Sequence, residues 1–349
     1  MRLRFIPEYN IALASMPSSD KLEELSKEFR AVLVLAEPHE LEYDLSEWER
    51  LGVKYLHIPV EDFSAPHLLD LYRGVRWIHD NISKGSKVLI HCLGGSGRSG
   101  TFASAYLVYR GLTAEKAIEK VREYILSAVE TYEQEVMVKV FEFLIRALPE
   151  PKLAKVVDFG AKYDYGWGIG HASKVTQLAL KLWHELTQEL NLPKDTITPL
   201  AIAGILHDIG RRIGDGRCHH EKSYKEILSS EELKVILSEE ELKLAALLTL
   251  HHRTKTGDPR EDPRTPKELA EVIAKLAGIL RVADALDWSL NQAVIDAEVQ
   301  STERKLNILV YASNRKCVYP NIEQALVKKS LLESVMKRII DFTIIKVPY

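Results

Sequence analysis

At 349 residues the chain is longer than one hydrophobic core usually organises, so two domains are expected. With 46% hydrophobic and 28% charged residues it is not a disordered chain, and a formal charge of -3 excludes a broadly basic nucleic-acid or membrane-surface binder. No run nears the roughly 18 apolar residues of a membrane span, MRLRFIPEYN lacks a signal-peptide core, and Cys92, Cys218 and Cys317 cannot build a disulfide framework. A cytoplasmic protein in a reducing compartment is the expectation.

Read along the chain, Ala31 to Leu35, Val53 to Ile58 and Lys87 to His91 predict strands. Between the last two, Pro66 to Asn81 predicts a helix with its proline in the first turn and Leu68, Leu71, Tyr72, Val75 and Ile78 on one face. Helices follow near Arg98, near Thr113 and from about Thr131 to Ala147. Strands alternating with helices imply an α/β layer architecture. Two prolines in Leu148-Pro149-Glu150-Pro151-Lys152 break the helical pattern and set the expected boundary between domains at 1–148 and 153–349. Beyond it the pattern is helical to about Leu290. Strands at Ala293 to Gln300 and Lys305 to Tyr311, a helix over Ile322 to Ile339 and a strand at Phe342 to Val347 then form a small α+β appendage over about 292–349.

The run His91-Cys92-Leu93-Gly94-Gly95-Ser96-Gly97-Arg98-Ser99 places a cysteine between a strand and a helix start. Glycines let loop amides converge on one point, and the helix N-terminus favours both a thiolate and a phosphate there. Leu93, Gly94, Gly95, Ser96, Gly97 and Arg98 are therefore the expected phosphate-binding loop. Arg98, six residues after Cys92, offers a planar fork to phosphate oxygens. The motif resembles the His-Cys-x5-Arg-Ser/Thr signature of protein tyrosine and dual-specificity phosphatases, closest to small archaeal members, over residues 1 to about 148. That resemblance implies a Cys92 nucleophile, a Ser99 hydroxyl assisting the sulfur as leaving group, and no cofactor. It also implies a general acid upstream, Asp62 in preference to Glu61, and Gln134 in Glu130-Thr131-Tyr132-Glu133-Gln134 holding the hydrolytic water. The loop interior carries no charge, which favours phosphorylated protein or a small phosphomonoester over phosphoinositide.

In the second half, His171 opens a helix, His207-Asp208 ends an apolar helix at Gly210, and Asp284 lies in Leu280-Arg281-Val282-Ala283-Asp284. Imidazoles and carboxylates from separate helices suit a divalent metal. The order His, His-Asp, Asp resembles the HD phosphohydrolase superfamily, which implies a metal centre (Mn, Fe, Mg, Ni or Zn) with ligands His171, His207, Asp208 and Asp284. From the pairs His219-His220 and His251-His252, His220 and His252 are expected at a second ion. LHDIGRRIG, CHHEKSY, LTLHHR and ILRVADALDWS narrow the resemblance to the C-terminal HD-type region of the exopolyphosphatase and guanosine pentaphosphatase family, from about residue 153 onward. Those proteins carry an N-terminal actin-like domain where this chain carries a cysteine phosphatase. A nucleotide or polyphosphate ligand is implied for this half, which is either a second catalytic centre or a sensing or dimerising module. A homodimer stays open.

Overall fold

The computed structural model describes residues 1–347, with Arg315 described by its backbone alone. The last two positions of the expected second domain, 348 and 349, lie outside the described residues. The chain divides into two compact units, Met1–Glu142 and a second from Phe143 onward. The division falls inside the helix Tyr132–Ala147, before the proline pair on which the expected boundary rests. Its last turn joins the second unit: Phe143 stacks on His184 at 4.6 Å, and the Ala147 carbonyl accepts from the Thr198 hydroxyl at 2.6 Å. The prolines mark a helix end, and packing decides to which unit that end belongs.

The first unit is a five-stranded sheet, β1 (Leu3–Ile6), β2 (Ile11–Ala14), β3 (Ala31–Val34), β4 (Lys54–His57) and β5 (Val88–His91), in the order β1-β2-β5-β3-β4. The first pair is an antiparallel hairpin; β2, β5, β3 and β4 run parallel. The inner strands IALA, AVLV and VLIH are buried throughout, as expected of parallel strands covered on both faces. β1 and β2 were absent from the expected strands. Their signal is short, four residues each, although Leu3 and Phe5 against Arg2 and Arg4 give a period of two.

Lying centrally, β5 has a parallel neighbour on either side. Its C-terminal end therefore opens at a switch point where crossovers leave in opposite directions, the usual place for a ligand in such sheets. The helix Gly97–Tyr109 follows at once and is buried from Gly97 to Val108. The helix Leu68–Ser83 packs across it so closely that a Cβ on Gly74 would stand 2.4 Å from Phe102 Cε1.

In the second unit the helices Ile169–Leu186, Ile197–Leu206, Glu239–His251 and Ala270–Ala285 share one core with a three-stranded sheet. Its strands are β6 (Asp296–Ser301), β7 (Lys305–Ala312) and β8 (Ile339–Lys346), β6 antiparallel and β8 parallel to β7. Leu306, Ile308, Val310 and Ala312 are buried at every second position and join the helical core, so the appendage is continuous with the bundle. The helix expected over Ile322 to Ile339 is two helices, Arg315–Lys328 and Ser330–Met336. Asn314 caps the first, Lys337 at φ +54° ends the second, and Ile339 already belongs to β8.

Filling the space above Gly74 overpacks a closed helix contact. Gly74→Val is expected to destabilise the first unit by about 1–3 kcal/mol, read as an earlier unfolding transition by circular dichroism. An unchanged transition would mean that the two helices separate freely.

Candidate functional site

His91 ends β5 and Cys92 enters the loop, pinned on both sides by the sheet. Leu35 N–H donates to the His91 carbonyl and Met16 N–H to the Leu93 carbonyl, each at 2.9 Å. Gly95 turns at φ +81° against the backbone of Ala14 and Ser15, where a Cβ would lie 2.5 Å from Ser15 N. That turn aims the Gly95 amide at Cys92 Sγ, 3.1 Å away. Cys92 is 2% exposed, and its sulfur receives a donor at the point where a helix begins.

Behind the loop stands a relay of buried donors. Trp48 Nε1 donates to the Tyr43 oxygen at 3.0 Å, the Tyr43 hydroxyl donates to His91 Nε2 at 2.6 Å, and His91 Nδ1 lies 3.3 Å from the Cys92 carbonyl. Burial pushes His91 down to about 4, so the imidazole is neutral and orients the loop without adding charge.

Arg98 is fully buried. Its Nη1 donates to Glu40 Oε2 at 2.6 Å and to the Val60 carbonyl at 2.8 Å; its Nη2 donates to Glu40 Oε1 at 2.9 Å and lies 2.9 Å from Asp62 Oδ1. Nε has no hydrogen-bond partner among the described residues. Asp62, and not Glu61, reaches the guanidinium. Its side chain is 44% exposed, compatible with movement toward a substrate. Ser99 Oγ is buried without a hydrogen-bond partner among the described residues. Gln134 is buried and braces two loops, donating to the Ser64 carbonyl at 3.1 Å and accepting from Glu130 N–H at 2.8 Å. Glu130 brings a further carboxylate to the loop, accepting from the Gly97 amide. Burial, and then the Asp62 carboxylate, raise its pKa. The contact is close: a Cβ on Gly97 would stand 2.3 Å from Glu130 Oε2.

In the second unit the chain turns sharply at His207-Asp208, after the helix Ile197–Leu206. Two trios result, His171, His207 and Asp284, and Asp208, His219 and His252, each with its donor atoms within 4.8 Å of one another. Asp208 joins them. Its Oδ2 faces His207 Nε2 at 3.7 Å and His171 Nε2 at 3.9 Å, and its Oδ1 faces His219 Nε2 at 3.1 Å and His252 Nε2 at 3.6 Å. Of the pair 219–220, the helix His219–Ser229 turns His219 into the cluster. His220, the residue expected there, lies beside it with Nδ1 unpartnered among the described residues.

Outer groups fix three of the four rings. His207 Nδ1 lies 2.9 Å from the Gly204 carbonyl, His252 Nδ1 2.7 Å from the Thr249 carbonyl, and His171 Nδ1 2.9 Å from Asp287 Oδ2. For His207 and His252 the proton thus sits on Nδ1 and an Nε2 lone pair faces carboxylate oxygen. Burial lowers the pKa of both rings. Burial alone would also neutralise Asp208, but the His219 hydrogen bond and the Arg211 guanidinium beside it hold its carboxyl well below the usual carboxylate range. Lone pairs aimed at ionised oxygens in a buried cluster are a donor set that fits a divalent cation. Lys328 Nζ sits 2.5 Å from Asp284 Oδ2, and Arg211 Nε 2.8 Å from Asp208 Oδ2.

Comparison with known proteins follows this division. Residues 160–334 match the family described as Ppx/GppA phosphatase, domain III. The chain belongs to that family. Residues 10–112 match a second description, Polymorphic toxin system, DSP-PTPase phosphatase. An uncharacterized protein of Methanocaldococcus jannaschii, MJECL20, is 39% identical over 28% of this chain and 65% of its own length. The human phosphatidylglycerophosphatase and protein-tyrosine phosphatase 1 is 31% identical over 33% of this chain and 62% of its own. The chain thus spans under two thirds of these curated relatives. The crystal structure of Tk-PTP in the G95A mutant form, 44% identical, aligns with 41% of this chain and 96% of that one at a TM-score of 0.40. The N-terminal region is accordingly similar to dual-specificity-type tyrosine phosphatases, joined to a Ppx/GppA domain III.

Sequence reasoning missed Glu40, Tyr43 and Trp48 in the first unit, and Asp287 and Lys328 in the Ppx/GppA domain. Only Asp287 had a local signal, three residues after Asp284 on the same helix pattern. The others arrive from distant segments.

The Arg98 guanidinium, through its hydrogen bonds, holds Glu40 below its ordinary value of 4.5. A depressed carboxyl contributes stability above its unfolded pKa and loses it as the pH falls through the folded one. The stability advantage of the native chain over Glu40→Gln, measured by urea unfolding, is therefore expected at pH 7 and should shrink below about pH 4.5. An advantage independent of pH would mean that the ion pair contributes nothing.

Proposed function

We propose that the first unit hydrolyses phosphomonoesters, phosphotyrosine before others, through a phosphocysteine on Cys92. The observation that carries this reading is the Gly95 amide on a buried Cys92 sulfur, beside a buried guanidinium at the start of a helix. Backbone amides of Leu93 to Arg98 receive three phosphoryl oxygens, and Arg98 takes the charge that grows on them as the bond to the leaving oxygen breaks. Cys92 Sγ attacks phosphorus while Asp62, displaced from Arg98 by the incoming dianion, protonates the leaving oxygen. In the second step water attacks the phosphocysteine, held by Gln134, and Asp62 accepts its proton. Ser99, whose hydroxyl has no partner among the described residues, donates to the departing thiolate.

For the Ppx/GppA domain we infer a metal-dependent phosphohydrolase acting on a nucleotide or polyphosphate-type substrate. His171, His207 and Asp284 would hold one ion, His219 and His252 a second, and Asp208 would bridge the two. A divalent ion bound there supplies Lewis-acid polarisation of a phosphoryl oxygen and lowers the pKa of water. The Gly204 and Thr249 carbonyls take the Nδ1 protons of His207 and His252 and leave their Nε2 atoms free and aimed inward, and Asp287 orients the His171 ring.

Hydrolysis of p-nitrophenyl phosphate by the full chain should be lost in Cys92→Ser, blocked by vanadate and untouched by EDTA; abolition by EDTA would remove the activity from Cys92. Asp62→Ala should lower kcat by about 10²–10⁴-fold with little change in KM. An unchanged kcat would move the acid to another residue, Glu61 or Glu130. The metal reading is checked separately. Metal content after loading with Mn²⁺ and desalting should fall in Asp208→Asn, whereas equal retention would sink the bridging role.

A further inference from the structure

A cavity of about 380 Å³ opens onto the two histidine-aspartate trios, a volume in the small-molecule range. Its floor and its rim differ in chemistry. The floor is ionic, with Arg211, Arg253 and Lys328 set around the buried carboxylates. Arg211 and Lys328 are each tied to one of those carboxylates. Arg253 has no carboxylate partner among the described residues, so its charge faces the cavity uncompensated.

The rim is apolar and exposed. Of the chain's five tryptophans, the two that are about half exposed, Trp167 at 51% and Trp288 at 52%, both line this cavity, together with Leu290 at 41% and Val327 at 63%. Trp167 is fixed in place, its ring 4.6 Å from the Arg211 guanidinium. Large apolar side chains gathered around a charged pocket mark a surface that a ligand covers. An inorganic polyphosphate would satisfy the cations and leave this rim in water. A ligand with a planar aromatic end and an anionic tail covers both.

We propose that Trp288 and Trp167 are specificity-determining residues that make this cavity select nucleoside phosphates over inorganic polyphosphate. The base rests on the tryptophan rim, and Arg253 receives the phosphate tail. The inference rests on the reading of this site as a phosphohydrolase centre and narrows its substrate class. Stacking of a base on an aromatic ring is sequence-tolerant, so either purine is accepted on the rim.

The test is calorimetric binding to the full chain in Mn²⁺, using a β,γ-imido nucleoside triphosphate and inorganic tripolyphosphate as probes. The nucleotide should bind more tightly, and without inhibiting p-nitrophenyl phosphate hydrolysis at Cys92. Trp288→Ala should weaken it by about tenfold while tripolyphosphate changes less than about twofold. Trp288→Phe, which keeps a stacking face, should restore the nucleotide. Arg253→Ala, which breaks no ion pair, should weaken both probes together. Equal affinity for the two probes in the native chain, equal loss of both in Trp288→Ala, or nucleotide binding that competes with p-nitrophenyl phosphate would each overturn the proposal. Tripolyphosphate hydrolysis without any nucleotide preference would overturn the specificity and leave the phosphohydrolase reading standing.

Discussion

An ionised group taken out of water must find its counter-charges and hydrogen bonds inside the fold, and both sites are organised by that constraint. Arg98 has no exposed surface, so its guanidinium is clamped by Glu40 on one edge, the Val60 carbonyl behind and Asp62 in front. The clamp ties the segments carrying Glu40, Val60 and Asp62 to the helix that follows the cysteine loop. Asp208 plays the corresponding part in the second unit, where two oxygens buried among imidazoles stay ionised because the His219 hydrogen bond and the Arg211 guanidinium offset the cost of burial.

The surrounding folds serve these charges in different ways. In the α/β unit the cysteine is placed by topology. β5 lies between two parallel strands, and its end has only a buried, glycine-rich turn in which to reach the helix. The His91, Tyr43 and Trp48 relay then holds the turn from behind with neutral groups. In the helical unit the clustered imidazoles and carboxylates come from the ends of separate helices, not from a strand end. Each ring must be oriented individually, by the Gly204 carbonyl, the Thr249 carbonyl or Asp287.

Where expectation and structure part, the cause is geometric. His219 and His220 are indistinguishable by composition. The helix beginning at His219 rotates one ring toward Asp208 and the next about a quarter turn away, and only the placement of that helix decides between them. Glu40, before β4 and far from the cysteine motif in sequence, becomes the main partner of Arg98 because β3 lies beside β5. The end of the Tyr132–Ala147 helix joins the second unit because Phe143 and Ala147 find partners there.

What the residue pattern settled by itself was local. A cysteine followed by glycines and an arginine is short enough for its place at a strand-to-helix junction to be legible within ten residues, and the division into an α/β and a mostly helical half is legible in the periodicity. What the tertiary structure decided is everything that depends on contacts between remote segments: Glu40 against Arg98, Tyr43 behind His91, Asp287 behind His171, Lys328 on Asp284, and two exposed tryptophans on one cavity. Periodicity shows which way a side chain faces within its own element. Which charge or ring meets it there is fixed only when the elements pack and each buried polar group has to find a partner.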